Sequence, residues 1–177
     1  MQTSSPELWD VIAAEAAAES ALWDEALREH AARELEPVFS PLTEPRFRLG
    51  LETIYEGYLA HYGRTRLFEP RDHDTALLLG DYLYAHGVQR IAALAEARAV
   101  LELGELISIC SQLRGEHESG DGAAWAATAA LLGRGALDTG YAALRDGDPA
   151  PLLAAAENAR GAEAVARALA AHQRHVG

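Results

Sequence analysis

The placement of proline constrains this chain more than any other feature. Pro6, Pro37, Pro41, Pro45 and Pro70 punctuate its first part and Pro149 and Pro151 its last, with none between Pro70 and Pro149. A proline inside a helix removes a hydrogen bond and clashes with the preceding turn, so a proline-free stretch is where long helices run. Composition favours that outcome: 37 alanines and 25 leucines among 177 residues, with few β-branched side chains, suit helix rather than sheet. The expected fold class is all-α, in a single domain over residues 1–177, long enough to bury roughly two-thirds of its unfolded surface without a staple.

Six helices are expected. Ser4-Ser5-Pro6-Glu7 has a capping-box spacing with proline near the first helical position, opening a helix that runs to about Glu34. Residues 37–45 form a loop. Residues 46–61 repeat apolar side chains at helical spacing and end at Tyr62-Gly63, a glycine stop. A third helix starts at Arg71-Asp72-His73-Asp74, whose acids suit the positive end of a helix dipole, and a turn near Ala95-Glu96 leads into a fourth over about 97–114. After a glycine-rich loop, Asp121 caps a helix over about 123–145. Asp148-Pro149 opens the last.

With 27 acidic and 15 basic residues the net charge is −12, which argues against a nucleic-acid footprint. All 15 cations are arginine. The missing lysine removes Schiff-base chemistry, a lysine general base and a lysine-bearing phosphate loop. Cys110 is single and lies in an apolar stretch with Ile107 and Ile109, the setting of a small core residue. Neither a signal-peptide layout at residues 1–10 nor a membrane-length apolar run is found, so a cytoplasmic location is expected.

No active site emerges from the titratable residues. Asp72-His73-Asp74 reads as a capping turn, because adjacent helical positions point in different directions. Glu116-His117-Glu118 reads as a solvated loop. A metal-dependent enzyme using both acid–histidine runs is one alternative, and a stand-alone homodimeric binding module is another. His172 and His175 suit a helix C-terminus. No Gly-x-Ser-x-Gly elbow and no Glu-x-x-His pairs of a di-iron bundle are present, so neither catalytic nor metal-ligating residues are assigned.

The run Thr75-Ala76-Leu77-Leu78-Leu79-Gly80-Asp81-Tyr82-Leu83-Tyr84-Ala85 resembles the central helix of trans-type polyprenyl diphosphate synthases, where an apolar run leads into Gly-Asp-aromatic-Leu and alanine. Ser111-Gln112-Leu113-Arg114-Gly115-Glu116 follows, and then Ala126-Ala127-Thr128-Ala129-Ala130-Leu131-Leu132, which resembles a Lys-Thr-x-x-Leu-Phe element with Ala127 at the lysine position. The likeness covers about 70–145. The family needs two Asp-Asp-x-x-Asp motifs to hold Mg²⁺ against an allylic diphosphate, yet this chain has no Asp-Asp pair and reads Glu52-Thr53-Ile54-Tyr55-Glu56-Gly57-Tyr58-Leu59 where the first motif belongs.

The resemblance is therefore to the small, non-catalytic subunit of heteromeric heptaprenyl or hexaprenyl diphosphate synthases. It implies a truncated isoprenoid-synthase-like antiparallel helical bundle, a hetero-oligomer with a catalytic subunit bearing both Asp-rich motifs, and a share in setting prenyl chain length. Mg²⁺ is then expected only in that partner, with no cofactor in this chain, and a homodimer is possible in the partner's absence. Leu77, Gly80, Asp81, Tyr84 and Val88 fall near one helical face that suits a partner interface, while Leu103, Ile107 and Cys110 face either the core or the prenyl tunnel.

Overall fold

The computed structural model describes residues 5–176. Among them are nine α-helices: α1 (Ser5–Glu19), α2 (Ala21–Ala26), α3 (Arg48–Tyr62), α4 (His73–Ala92), α5 (Ala97–Gly115), α6 (Asp121–Leu131), α7 (Asp138–Arg145), α8 (Ala150–Arg160) and α9 (Ala162–Val176). Three single 3₁₀ turns and an isolated bridge between Leu27 and Phe68 complete the described fold, which is all-α as expected. No helix among these residues is long and apolar enough to cross a membrane.

Three of the six expected helices are each divided in two. The first breaks at Ser20, which takes an extended backbone and accepts the Leu22 N–H at 3.1 Å, so a serine inside the alanine run caps a new helix instead of continuing the old one. Beyond α2 the chain is held by Arg28 N–H to Leu67 O (2.8 Å) and Glu69 N–H to Ala26 O (2.7 Å). The expected helix over 123–145 breaks because Gly133 and Gly135 take left-handed backbone, and the buried Glu102 of α5 accepts both their N–H groups, at 2.5 and 2.8 Å. Gly161, at φ 88°, divides the last helix into α8 and α9. Ser4 and the Glu7 side chain, the two halves of the expected capping box, lie outside the described residues. α2 also ends at Ala26, short of the Glu34 expected for the first helix, because Leu27 turns extended, whereas Asp72 caps α4 by accepting the Thr75 N–H at 2.7 Å and the chain turns between α4 and α5 at Ala95 (φ 58°).

α3 is the hub, with every residue from Gly50 to Leu59 buried. It packs against α4 through glycines spaced seven apart on both helices. A Cβ on Gly57 would lie 2.9 Å from the Gly80 carbonyl oxygen, and one on Gly87 would lie 2.9 Å from that of Gly50. The two backbones therefore approach more closely than any side chain at those positions would allow. On another side α3 meets α6, whose residues Ala123 to Ala130 are all buried around Trp125. The Trp125 ring sits among Phe39, Tyr55 and Tyr58, with centroids 5.0–5.7 Å away. A second, smaller apolar cluster joins Trp9, Ile12 and Trp23 to Leu67, Phe68, Leu79 and Leu83.

Candidate functional site

Two buried polar centres flank α3. In the first, Glu52 and Glu56 are one helical turn apart and point at Arg66, which lies in the loop after α3 and is completely buried. The guanidinium donates from Nε to Glu56 (3.0 Å) and from Nη1 to Glu52 (2.8 Å) and to the Glu36 carbonyl (3.1 Å). Backbone N–H groups take the remaining carboxylate oxygens: Arg66 and Leu67 donate to Glu56, both at 2.8 Å, and Ser40 donates to Glu52 at 3.3 Å. The Trp9 ring covers the guanidinium at 4.4 Å and the Tyr55 ring lies 4.9 Å from it. Two carboxylates share one guanidinium, with three backbone dipoles supplying the rest of the compensation. Each of the four carboxylate oxygens thus already accepts a hydrogen bond.

The second centre gathers groups from four helices. Asp121, at the start of α6, accepts from Arg114 of α5 at 2.6 Å, from His172 Nε2 of α9 at 3.1 Å and from the Tyr58 hydroxyl of α3. Tyr58 in turn accepts from Arg114 Nε at 2.8 Å, and the Tyr55 hydroxyl lies 2.8 Å from His172 Nδ1. A neutral imidazole donating from Nε2 accepts the Tyr55 proton at Nδ1, which satisfies both ring nitrogens. Burial works to raise the Asp121 pKa, but the hydrogen bonds from His172 and Tyr58 and the Arg114 charge outweigh it and hold the carboxyl well below its usual range. Burial, aided by the Asp121 charge, pushes the Tyr58 phenol far above its ordinary value, so it stays protonated as a donor. Asp121 was expected as a helix cap and His172 as a side chain suited to a helix C-terminus. Both instead face inward, because α9 lays the stripe Val165, Ala168, His172 and His175 against the core.

The outer surface of the α4–α5 hairpin differs in kind. Among the described residues the exposed large hydrophobics are Leu77 (36%), Leu78 (56%), Leu94 (41%) and Leu101 (65%), all in α4, α5 or the turn between them. Along α5 four exposed positions at helical spacing, Ala97, Leu101, Gly104 and Ser108, are uncharged, with the exposed Arg98 at their side, and nothing lies within 4 Å of a Cβ built on Gly104. Tyr84, Val88, Val100 and Ile107 are half-buried and packed against the main core.

The residues singled out in the sequence thus separate. Leu77 and Asp81 are exposed, with Asp81 3.2 Å from His61. Tyr84, Val88 and Ile107 lie between surface and core. Gly80 is not at the surface: it is buried against the His61 ring of α3. Leu103 and Cys110 belong to the chain's own core, as the apolar stripe of α5 turns toward α3 and α6. Ala127 is fully buried beside Thr128, whose hydroxyl bonds to Ala124 O (2.7 Å) and to Tyr141.

Asp72 serves as a helix cap, and His73, Asp74, Glu116, His117 and Glu118 are exposed. Among the described residues no three His, Cys, Asp or Glu side chains are placed to hold a metal ion. A groove of about 370 Å³ runs between α5 and α7, yet its arginines are taken: Arg145 pairs with Glu105, and Arg98 lies 3.7 Å from Glu102 and 4.0 Å from Asp138.

The sequence reading missed Glu52, Glu56, Arg66, Asp121 and His172 as tertiary anchors. A usable signal existed for two of them: acids four residues apart inside Leu51-Glu52-Thr53-Ile54-Tyr55-Glu56-Gly57-Tyr58-Leu59 lie on one helical face of an otherwise apolar segment. No family model, curated protein or solved structure matches the chain.

Proposed function

We propose that this chain is a non-catalytic subunit of a polyprenyl diphosphate synthase, docking its α4–α5 hairpin on a catalytic subunit that carries the Asp-rich motifs. The observation that carries the reading is the confinement of Leu77, Leu78, Leu94 and Leu101 to one hairpin, the hairpin that also holds the Gly80-Asp81-Tyr82-Leu83 run. A chain with net charge −12 that leaves an uncharged stripe on one helix has the composition of an interface centre, which is depleted in charge relative to the remaining surface. Gly104 and Ser108 would let a partner helix approach closely.

The state of α3 supports the non-catalytic half of the reading. The acids at the position of the first Asp-rich motif are Glu52 and Glu56, and Arg66 together with backbone N–H groups occupies all their oxygens. Mg²⁺ chemistry on an allylic diphosphate would then belong to the partner, and this chain would supply shape to the space in which the product grows.

The test is reconstitution with isopentenyl and farnesyl diphosphates. The chain alone is expected to give no polyprenyl product and to restore long-chain synthesis when mixed with its catalytic subunit. Product from the chain alone, or no effect and no binding with candidate catalytic subunits, overturns the reading. A stable homodimer that ignores every such subunit favours a stand-alone binding module instead.

A further inference from the structure

We propose that the last turn of α9 is a proton-sensitive clasp, in which a neutral His175 holds residues 63–67 in place and acidification releases that turn together with the loop carrying Arg66. The contact is made backbone to backbone. The His175 carbonyl accepts the Arg64 N–H at 2.8 Å, and a Cβ on Gly63 would fall 2.7 Å from the same oxygen, so the turn and the loop are closely seated. The His175 ring is buried at 6% exposure and its Nδ1 has no hydrogen-bond partner.

The charges around this ring disfavour a proton. Arg64 and Arg66 face it from the loop and Glu34 from the segment before α3, but Glu34 is already paired with Arg64, and Glu52 and Glu56 of α3 are occupied by Arg66. The neighbouring Arg174 pairs with Glu36. Protonation would bring a third cation beside two arginines and an N–H at Nδ1 without an acceptor. Burial first, and the Arg66 charge second, depress the His175 pKa below its ordinary value, with the Glu34 charge and the Arg64 backbone opposing. A histidine whose folded pKa is depressed contributes stability that is present above its ordinary pKa of 6.5 and is lost as the pH falls below it. His172, one turn earlier, faces Asp121 on α6, Tyr55 and Tyr58 on α3 and, through Asp121, Arg114 on α5. Both of its ring nitrogens already have partners, so the earlier turns of α9 stay docked and the opening is local.

Hydrogen exchange of the full chain at pH 7.5 and 5.5, corrected for intrinsic rates, tests the clasp. Protection over 63–67 and 173–176 is expected to fall by up to about tenfold, the limit for a group whose ordinary pKa lies one unit above the lower pH, while α6 amides keep theirs. His175→Gln is expected to abolish the difference and Arg64→Gln to reduce it. Unchanged protection in the wild type, a loss shared equally by α6, or an undiminished loss in His175→Gln overturns the proposal. NMR titration of the wild-type ring decides independently of any variant: a His175 pKa at or above 6.5 also overturns it.

Discussion

α3 and α5 are both long helices rich in leucine and glycine, and each takes acid inside, Glu52 and Glu56 on α3 and Glu102 on α5, yet their remaining faces differ. α3 is buried along ten consecutive residues and takes two glutamates inside with it. α5 turns Leu103, Leu106 and Cys110 inward but leaves Ala97, Leu101, Gly104 and Ser108 outside. Charge does not follow burial in either helix. What separates them is how far each face is covered: the carboxylates of α3 have Arg66, whereas on the outer face of α5 Leu101 borders an open groove beside Arg98 and Arg145, and nothing lies within 4 Å of a Cβ on Gly104. Buried charge is tolerated where donors match it, whereas an exposed leucine such as Leu101 leaves apolar area in water.

The largest test of that contrast is to remove the partner on the α3 side. Arg66→Met leaves Glu52 and Glu56 buried and uncompensated, and is expected to cost about 3–5 kcal/mol, lowering the melting temperature by on the order of 10 °C. On α5, Arg98→Met removes a half-exposed arginine at 3.7 Å from Glu102, and its cost is expected to be below about 1 kcal/mol. Urea midpoints for the pair measure the asymmetry. Equal losses would mean that the α3 centre is better hydrated than its geometry implies.

One substitution made on both helices should change sign. Gly57→Ala places a Cβ 2.9 Å from the Gly80 carbonyl and 3.1 Å from the Leu83 Cβ, so α3 and α4 must part, at about 1–3 kcal/mol. Gly104→Ala meets open space and replaces a poor helix former, which is expected to gain about 0.5–1 kcal/mol. Thermal melts of the two single variants suffice. A gain at both positions would show that the seven-residue glycine spacing is incidental to the seam.

Much of this architecture was legible in the residues. The proline-free stretch, the Asp72 cap and the Gly63 stop located α3, α4 and α5 closely, because each acts within one turn of itself. The glycine pairs 50/57 and 80/87 were equally visible as matched spacings. Local pattern failed where a residue's role depends on a distant donor. Nothing local marks Glu102 before Gly133 and Gly135 fold back onto it, and Asp121 reads as a cap until α9 brings His172 against it. Periodicity identifies which face of a helix is apolar; it does not say which neighbour that face meets, and for that reason Leu103 and Cys110 could not be separated from a partner face in advance.

The smallest effect on stability carries the most weight for function. Leu101 is 65% exposed, so Leu101→Glu removes almost no buried apolar area and should change stability by less than about 0.5 kcal/mol. At the centre of a docked interface the same glutamate would be driven out of water beside Arg98 and Arg145, which already face Glu102, Asp138 and Glu105, and binding to a catalytic subunit is expected to weaken more than tenfold. Leu103→Ala, two residues away, should do the reverse, costing about 2–5 kcal/mol of stability while leaving any surviving folded protein able to bind. Titration of both variants against the catalytic subunit, alongside their melting curves, separates the two faces of α5. If Leu101→Glu binds as tightly as the wild type, the uncharged stripe is a surface like any other and the partner must be sought elsewhere on the fold.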